Sequence, residues 1–158
     1  MLFIGENLFG YMKYRVFIIE VICFLFVVLF LYAAITKLLE YDTFRTQIGQ
    51  APMLTFFAKW IVWIIPSIEI ISSILLLIPR LRFFGLFSAL VLMSMFTTYI
   101  IIILNFSPHV PCSCGGILEK LGWQEHLIFN IGFVGLAILG IKLYREDNFN
   151  SEHAAVVN

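Results

Sequence analysis

Four apolar stretches, Val16–Thr36, Trp60–Ile78, Phe83–Leu104 and Leu127–Leu143, decide what this chain can become. A bilayer's hydrocarbon core is about 30 Å thick, and a helix needs about 20 apolar residues to cross it. Lipid offers no hydrogen bonds, so each spanning segment must satisfy its backbone internally. The stretches therefore predict an all-α fold: an integral membrane, antiparallel four-helix bundle. Composition excludes the soluble alternative, because 61% of the residues are hydrophobic and only 13% are charged. An ordinary soluble domain carries about 25% charged residues. The first stretch is too long for a signal-peptide core and lacks a convincing cleavage site, so it reads as an uncleaved signal-anchor.

Basic residues orient such a chain. Lys13, Arg15, Arg80, Arg82, Lys142 and Arg145 fall on one side of the predicted spans, and Lys37, Arg45, Lys59 and Lys120 on the other. The short Pro79-Arg80-Leu81-Arg82 turn strengthens the bias, so both termini are expected in the cytoplasm. Trp60, Trp63 and Trp123 then lie at the opposite interface, where aromatic belts form. Residues 1–14 read as a short amphipathic lead-in on the cytoplasmic surface, with Leu2, Phe3, Ile4, Leu8, Phe9 and Tyr11 as its apolar members. Residues 15–145 form the four-span domain, and 146–158 a polar cytoplasmic tail expected to be disordered. The first outer loop, Lys37–Phe57, is expected to be an ordinary connection rather than a short interfacial helix. Such a helix would turn Leu38, Tyr41 and Phe44 toward lipid and leave Glu40 and Asp42 free to meet Lys37 or Arg45. The tight second turn predicts a hairpin of spans two and three. Nothing resembles a nucleic-acid-binding pattern of basic and aromatic residues.

The chemistry concentrates in the third loop, Asn105–His126, which holds Cys112-Ser113-Cys114-Gly115-Gly116. Two thiols one residue apart can close only a small, strained disulfide, and strain makes such a bond labile and suited to thiol exchange. The glycines admit unusual backbone angles and give a partner access. The orientation places this pair outside the cytoplasm, where disulfides persist. A metal site is the alternative: Cys112 and Cys114 with His109 and His126 are soft ligands suited to zinc or copper(I). His126 also reads as an interfacial residue at the start of the fourth span. Cys23, in the other half of the bilayer, reads as a small buried side chain.

Glu69 lies near the middle of the second span, where an ionisable group is costly and tends to face the bundle interior. Ser72 and Ser73 follow on the same face, where a hydroxyl can approach its carboxyl group, and Ser94, Thr97 and Thr98 on the third span are further candidate partners. Two readings stay open: an intramembrane proton site beside a quinone, or a neutral carboxyl that holds helices together. A quinone is the only cofactor class suggested. Glu20 reads as structural, near Arg15. Gly132 and Gly135 predict close helix packing on span four, with Asn130 as a polar contact.

Ala34-Ile35-Thr36-Lys37-Leu38, Glu69, Pro111-Cys112-Ser113-Cys114-Gly115-Gly116 and Trp123-Gln124-Glu125-His126-Leu127 together resemble the MauE/DoxX-like membrane proteins over residues 15–145. The resemblance implies a redox-associated protein of the bacterial inner membrane. MauE-type members are linked to methylamine utilisation, assisting maturation or disulfide formation of a periplasmic dehydrogenase subunit, and DoxX-type relatives to quinone-coupled sulfur oxidation. Carried over by position, the implied redox residues are Cys112 and Cys114. The chain lacks the C-x-x-C pair of quinone-linked disulfide-forming enzymes. The resulting expectation is an accessory protein, a thiol–disulfide oxidoreductase in chemistry, that exchanges a disulfide with a periplasmic client or thioredoxin-like partner. Glu69 would handle protons. The alternative is a non-catalytic membrane subunit or chaperone whose cysteine loop docks a partner or binds metal.

Overall fold

The computed structural model describes residues 2–50, 57–106 and 122–157. Among them all regular structure is helical: α1 (Leu2–Leu39), α2 (Tyr41–Gln50), α3 (Ala58–Leu77), a 3-10 turn (Pro79–Leu81), α4 (Arg82–Phe106) and α5 (Trp123–Val157). Four segments are long and apolar enough to cross a membrane: Lys13–Leu39, Ala58–Leu77, Pro79–Ile102 and Gln124–Glu146. They coincide with the four stretches read from the sequence.

Two segments differ from expectation. The lead-in is not a separate element, because α1 runs unbroken from Leu2 through the first span. The segment expected to be a disordered tail continues α5 to Val157. The same reason applies to both. Nucleating a helix is the costly step, and extending one already held by a packed span is cheap.

The α3–α4 connection shows how local chemistry stops a helix. Pro79 has no N–H and disfavours helical angles in the residue before it. Ile78 accordingly adopts extended angles (φ −90°, ψ 112°). Pro79 then opens the 3-10 turn, closed by the Leu81 N–H donating to the Ile78 carbonyl at 2.9 Å.

Contacts between helices climb one partner as they descend the other. Leu76 of α3 meets Gly85 of α4, and further from the turn Ser88 donates to the Ser72 hydroxyl at 2.7 Å. Between α1 and α5, Arg15 pairs with Glu146, Ile22 meets Gly140, and Phe26 sets its ring edge against Phe133 at 5.3 Å. Phe26, Phe30, Leu76, Leu86, Ala89, Leu92, Met93 and Ala137 form the central core. Phe17, Phe24, Phe84, Phe87 and Ile128 face outward, an apolar surface far larger than water tolerates and suited to lipid.

Glycine sets the closest approaches, though not where the sequence suggested. A Cβ on Gly85 would lie 2.9 Å from both the Cγ and the backbone nitrogen of Leu76. On Gly140 it would lie 3.1 Å from Leu86 and 3.3 Å from Ile22. Gly132 and Gly135, expected to be the packing glycines, have nothing within 4 Å of that position because both face outward.

Charge gathers at one end. Arg15 pairs with Glu146, and Arg82 lies 3.6 Å from Glu20, so Glu20 serves the α3–α4 turn rather than Arg15. Tyr144 donates to the Pro79 carbonyl at 3.3 Å and ties α5 to that same turn. At the other end α2 is a helix, where an ordinary loop was expected. Its Ile48 packs with Ala58 and Val62 of α3, and half-buried Tyr41 and Phe44 join that cluster instead of turning to lipid. The apolar face of so short a helix needs a partner, and α3's first turns supply it.

Candidate functional site

Lys37, in the last turn of α1, is the centre of the candidate site. Its ammonium lies 2.5 Å from the Glu69 Oε1 of α3. The Phe96 ring of α4 has its centroid 5.1 Å away, and the Phe44 ring of α2 5.8 Å. His126 stands in the first turn of α5 and is half-buried. Helices α2, α3 and α4 each send a side chain toward the one ammonium group of α1. Both rings lie within the distance at which an aromatic face attracts a cation.

Glu69 is wholly enclosed, with none of its side chain exposed, whereas Lys37 keeps 18%. The second carboxyl oxygen, Oε2, is buried and has no hydrogen-bond partner among the described residues. The neighbouring serines do not supply one. Ser73 donates to the backbone carbonyl of Glu69 at 2.9 Å, and Ser72 to that of Ile68 at 2.7 Å. Thr97 and Thr98 likewise bond back to Met93 and Ser94. A helical serine or threonine hydroxyl reaches the carbonyl four residues back more easily than a side chain on its own face. The sequence expectation that these hydroxyls serve the carboxyl group is corrected by that geometry.

Glu40 and Asp42, proposed companions of Lys37, are exposed while Lys37 turns inward. Lys37 itself was read only as an orienting charge. A lysine closing an apolar helix, together with an intramembrane glutamate without a counter-charge, is the signal that could have joined the two.

The start of α5 is built by a local cap. The Gly122 N–H donates to the Glu125 carboxylate at 3.0 Å, and the His126 N–H to the Gly122 carbonyl at 3.0 Å. This is half of a capping box, and it fixes the turn from which His126 projects. One turn on, Asn130 is buried, and its Nδ2 has no partner among the described residues.

Cys112, Cys114 and His109 lie outside the described residues, so their geometry does not enter the site. They belong to the segment that leaves α4 after Phe106 and rejoins at Gly122, directly ahead of His126. Cys23 is buried and unpaired. Among the described residues no three His, Cys, Asp or Glu side chains gather as a metal site.

Comparison with known proteins adds one relationship. The family described as methylamine utilisation protein MauE matches residues 15–143, the whole four-span region. No curated protein matches the chain. No solved structure matches it either.

Proposed function

This chain belongs to the MauE family of multi-pass membrane proteins, and from that premise we propose that it is an accessory redox protein for maturation of an extracytoplasmic client. The family's description points to methylamine utilisation as the process served. Cys112 and Cys114 are the working pair. A client thiolate attacks one sulfur of their disulfide, the S–S bond breaks, and a mixed disulfide forms while the other cysteine leaves as thiolate. The client's second thiolate then attacks the client sulfur of that mixed disulfide, and the chain's cysteine leaves as thiolate. Two client thiols become a disulfide, and Cys112 and Cys114 end as two thiols.

One observation carries this reading. The family match over residues 15–143 takes in Cys112 and Cys114 together with a membrane bundle that holds the enclosed Lys37–Glu69 pair. Intramembrane ionisable groups mark function by default. The basic residues that pack together around the α3–α4 turn support a cytoplasmic location for that end. The cysteine segment then faces the periplasm of a bacterial inner membrane.

The test is trapping. In cells, a Cys112→Ser or Cys114→Ser variant should accumulate a mixed disulfide with one client, visible as a reducible band shift. Wild-type protein should show the pair oxidised in part. A pair that stays fully reduced in its native compartment, with serine variants that keep full function, would exclude the thiol chemistry and leave a docking or metal-binding role.

A further inference from the structure

The polar groups around Lys37 are incompletely satisfied in a way that specifies a ligand. An ammonium has three donors, and Glu69 takes one of them at 2.5 Å. The Glu69 Oε2 is buried without a partner among the described residues. Glu69 is wholly enclosed, with 0% exposure. Orphaned buried polar atoms are rare in folded proteins and mark bound water, bound ligand or chemistry. Apolar surroundings with a few convergent polar groups are also the usual make-up of a small-molecule site.

The donor set restricts what fits. A metal cation is disfavoured because the one carboxylate is already neutralised by an ammonium. An anion would meet the Glu69 charge. A neutral molecule with carbonyl acceptors and a flat apolar body suits both the Lys37 donors and the flanking rings of Phe44 and Phe96. It must also enter through lipid, because the four helices present apolar faces to their surroundings.

We propose that Lys37 and Glu69, flanked by the Phe44 and Phe96 rings, form a head-group site for a lipid-soluble quinone. This rests on the thiol reading above and supplies its missing acceptor. Oxidising the Cys112 and Cys114 thiols breaks two S–H bonds, forms one S–S bond, and releases two electrons and two protons. A quinone accepts both electrons and both protons as the two O–H bonds of a quinol. In this arrangement Lys37 donates to a ring carbonyl oxygen, and the unpartnered Glu69 Oε2 is the atom that carries a proton to it.

Binding is measured apart from turnover, on full-length protein in lipid nanodiscs titrated with ubiquinone-1 and with menadione. Saturable quenching of tryptophan fluorescence is the readout. Wild-type protein should bind at least one of the two. Loss of a charge-assisted hydrogen bond should weaken binding about tenfold or more in Lys37→Met and in Glu69→Gln. Gly132→Ala, on the outward face, should bind as wild type does. A Lys37→Met/Glu69→Leu double variant, which removes the pair without stranding a charge, guards against misfolding: while monodisperse, it should lose saturable binding. Saturable binding at wild-type affinity by that double variant would overturn the proposal. So would the absence of saturable binding to wild-type protein, which would mean that water alone fills the site. The two readings fail separately, since Cys112→Ser and Cys114→Ser should leave the quinone affinity unchanged whether or not thiol exchange occurs.

Discussion

Lys37 and Glu69 lie 32 positions apart in the chain and 2.5 Å apart in space, joining the end of α1 to the middle of α3 through a carboxyl group with no exposed surface. Neither residue could occupy its place alone. Desolvating an isolated charge costs several kcal/mol, and the partner's opposite charge offsets much of that. The pair is therefore both a structural tie and a concentrated polar spot in an apolar bundle.

Removing one partner should hurt more than removing both. Lys37→Met or Glu69→Ala leaves an uncompensated buried group, and breaking such pairs costs about 3–5 kcal/mol. Replacing both by apolar residues of similar volume should restore most of that stability. Glu69→Gln should fall between, because its amide keeps a hydrogen-bonding oxygen. Thermal unfolding in detergent, followed by loss of the monodisperse peak, gives the order. A double variant no more stable than Lys37→Met would show that the pair contributes more than charge compensation.

The ion pair at the opposite end should behave differently. The Arg15 side chain is 10% exposed, but the Glu146 side chain that meets it is 59% exposed. A pair open to water on one side contributes closer to the roughly 1 kcal/mol of surface pairs than to the larger value of enclosed ones. Glu146→Gln should therefore shift the melting temperature little, far less than Glu69→Ala does. Raising the salt concentration should shrink even that difference, since salt screens exposed charges well and buried ones poorly.

Glycine substitutions offer a packing test. Gly85→Ala places a methyl group 2.9 Å from the Leu76 backbone nitrogen, which cannot move without bending α3. Overpacking of this kind costs about 1–3 kcal/mol. Gly132→Ala and Gly135→Ala meet nothing within 4 Å, so they should be neutral or stabilising by up to about 1 kcal/mol through reduced backbone freedom. Melting curves of the three variants separate a helix contact from an outward face.

The spans were legible in the sequence because apolar length is a property of one segment, read without its neighbours. Glu69 stood out for the same reason, as a charge in such a segment. Its partner did not, because the 2.5 Å approach of Lys37 depends on how α1 and α3 pack, which no spacing encodes. The packing glycine of α5 was misplaced for a related reason. Gly132, Gly135 and Gly140 look alike in the sequence, and only the direction each faces distinguishes Gly140. Helix α2 was read as a loop because Tyr41–Gln50 is short and polar, and its helical form depends on the apolar surface that Ala58 and Val62 provide.

Cysteine labelling tests the arrangement of the molecule in its membrane. Cys23 is 4% exposed and packs in the core with Phe26 and Leu86, so it should resist maleimide in the folded protein and react only after denaturation. Cys23→Ala should cost little beyond the loss of a small packing group, leaving Cys112 and Cys114 as the only thiols. In that background, a membrane-impermeant maleimide added outside intact spheroplasts should label the pair after mild reduction, and much less before it. Labelling confined to inverted vesicles would reverse the orientation inferred from Arg15, Arg80 and Arg82, and would put the pair in a reducing compartment where a client-oxidising role has no footing. Equal labelling before and after reduction, from the outside, would keep the orientation and remove the disulfide.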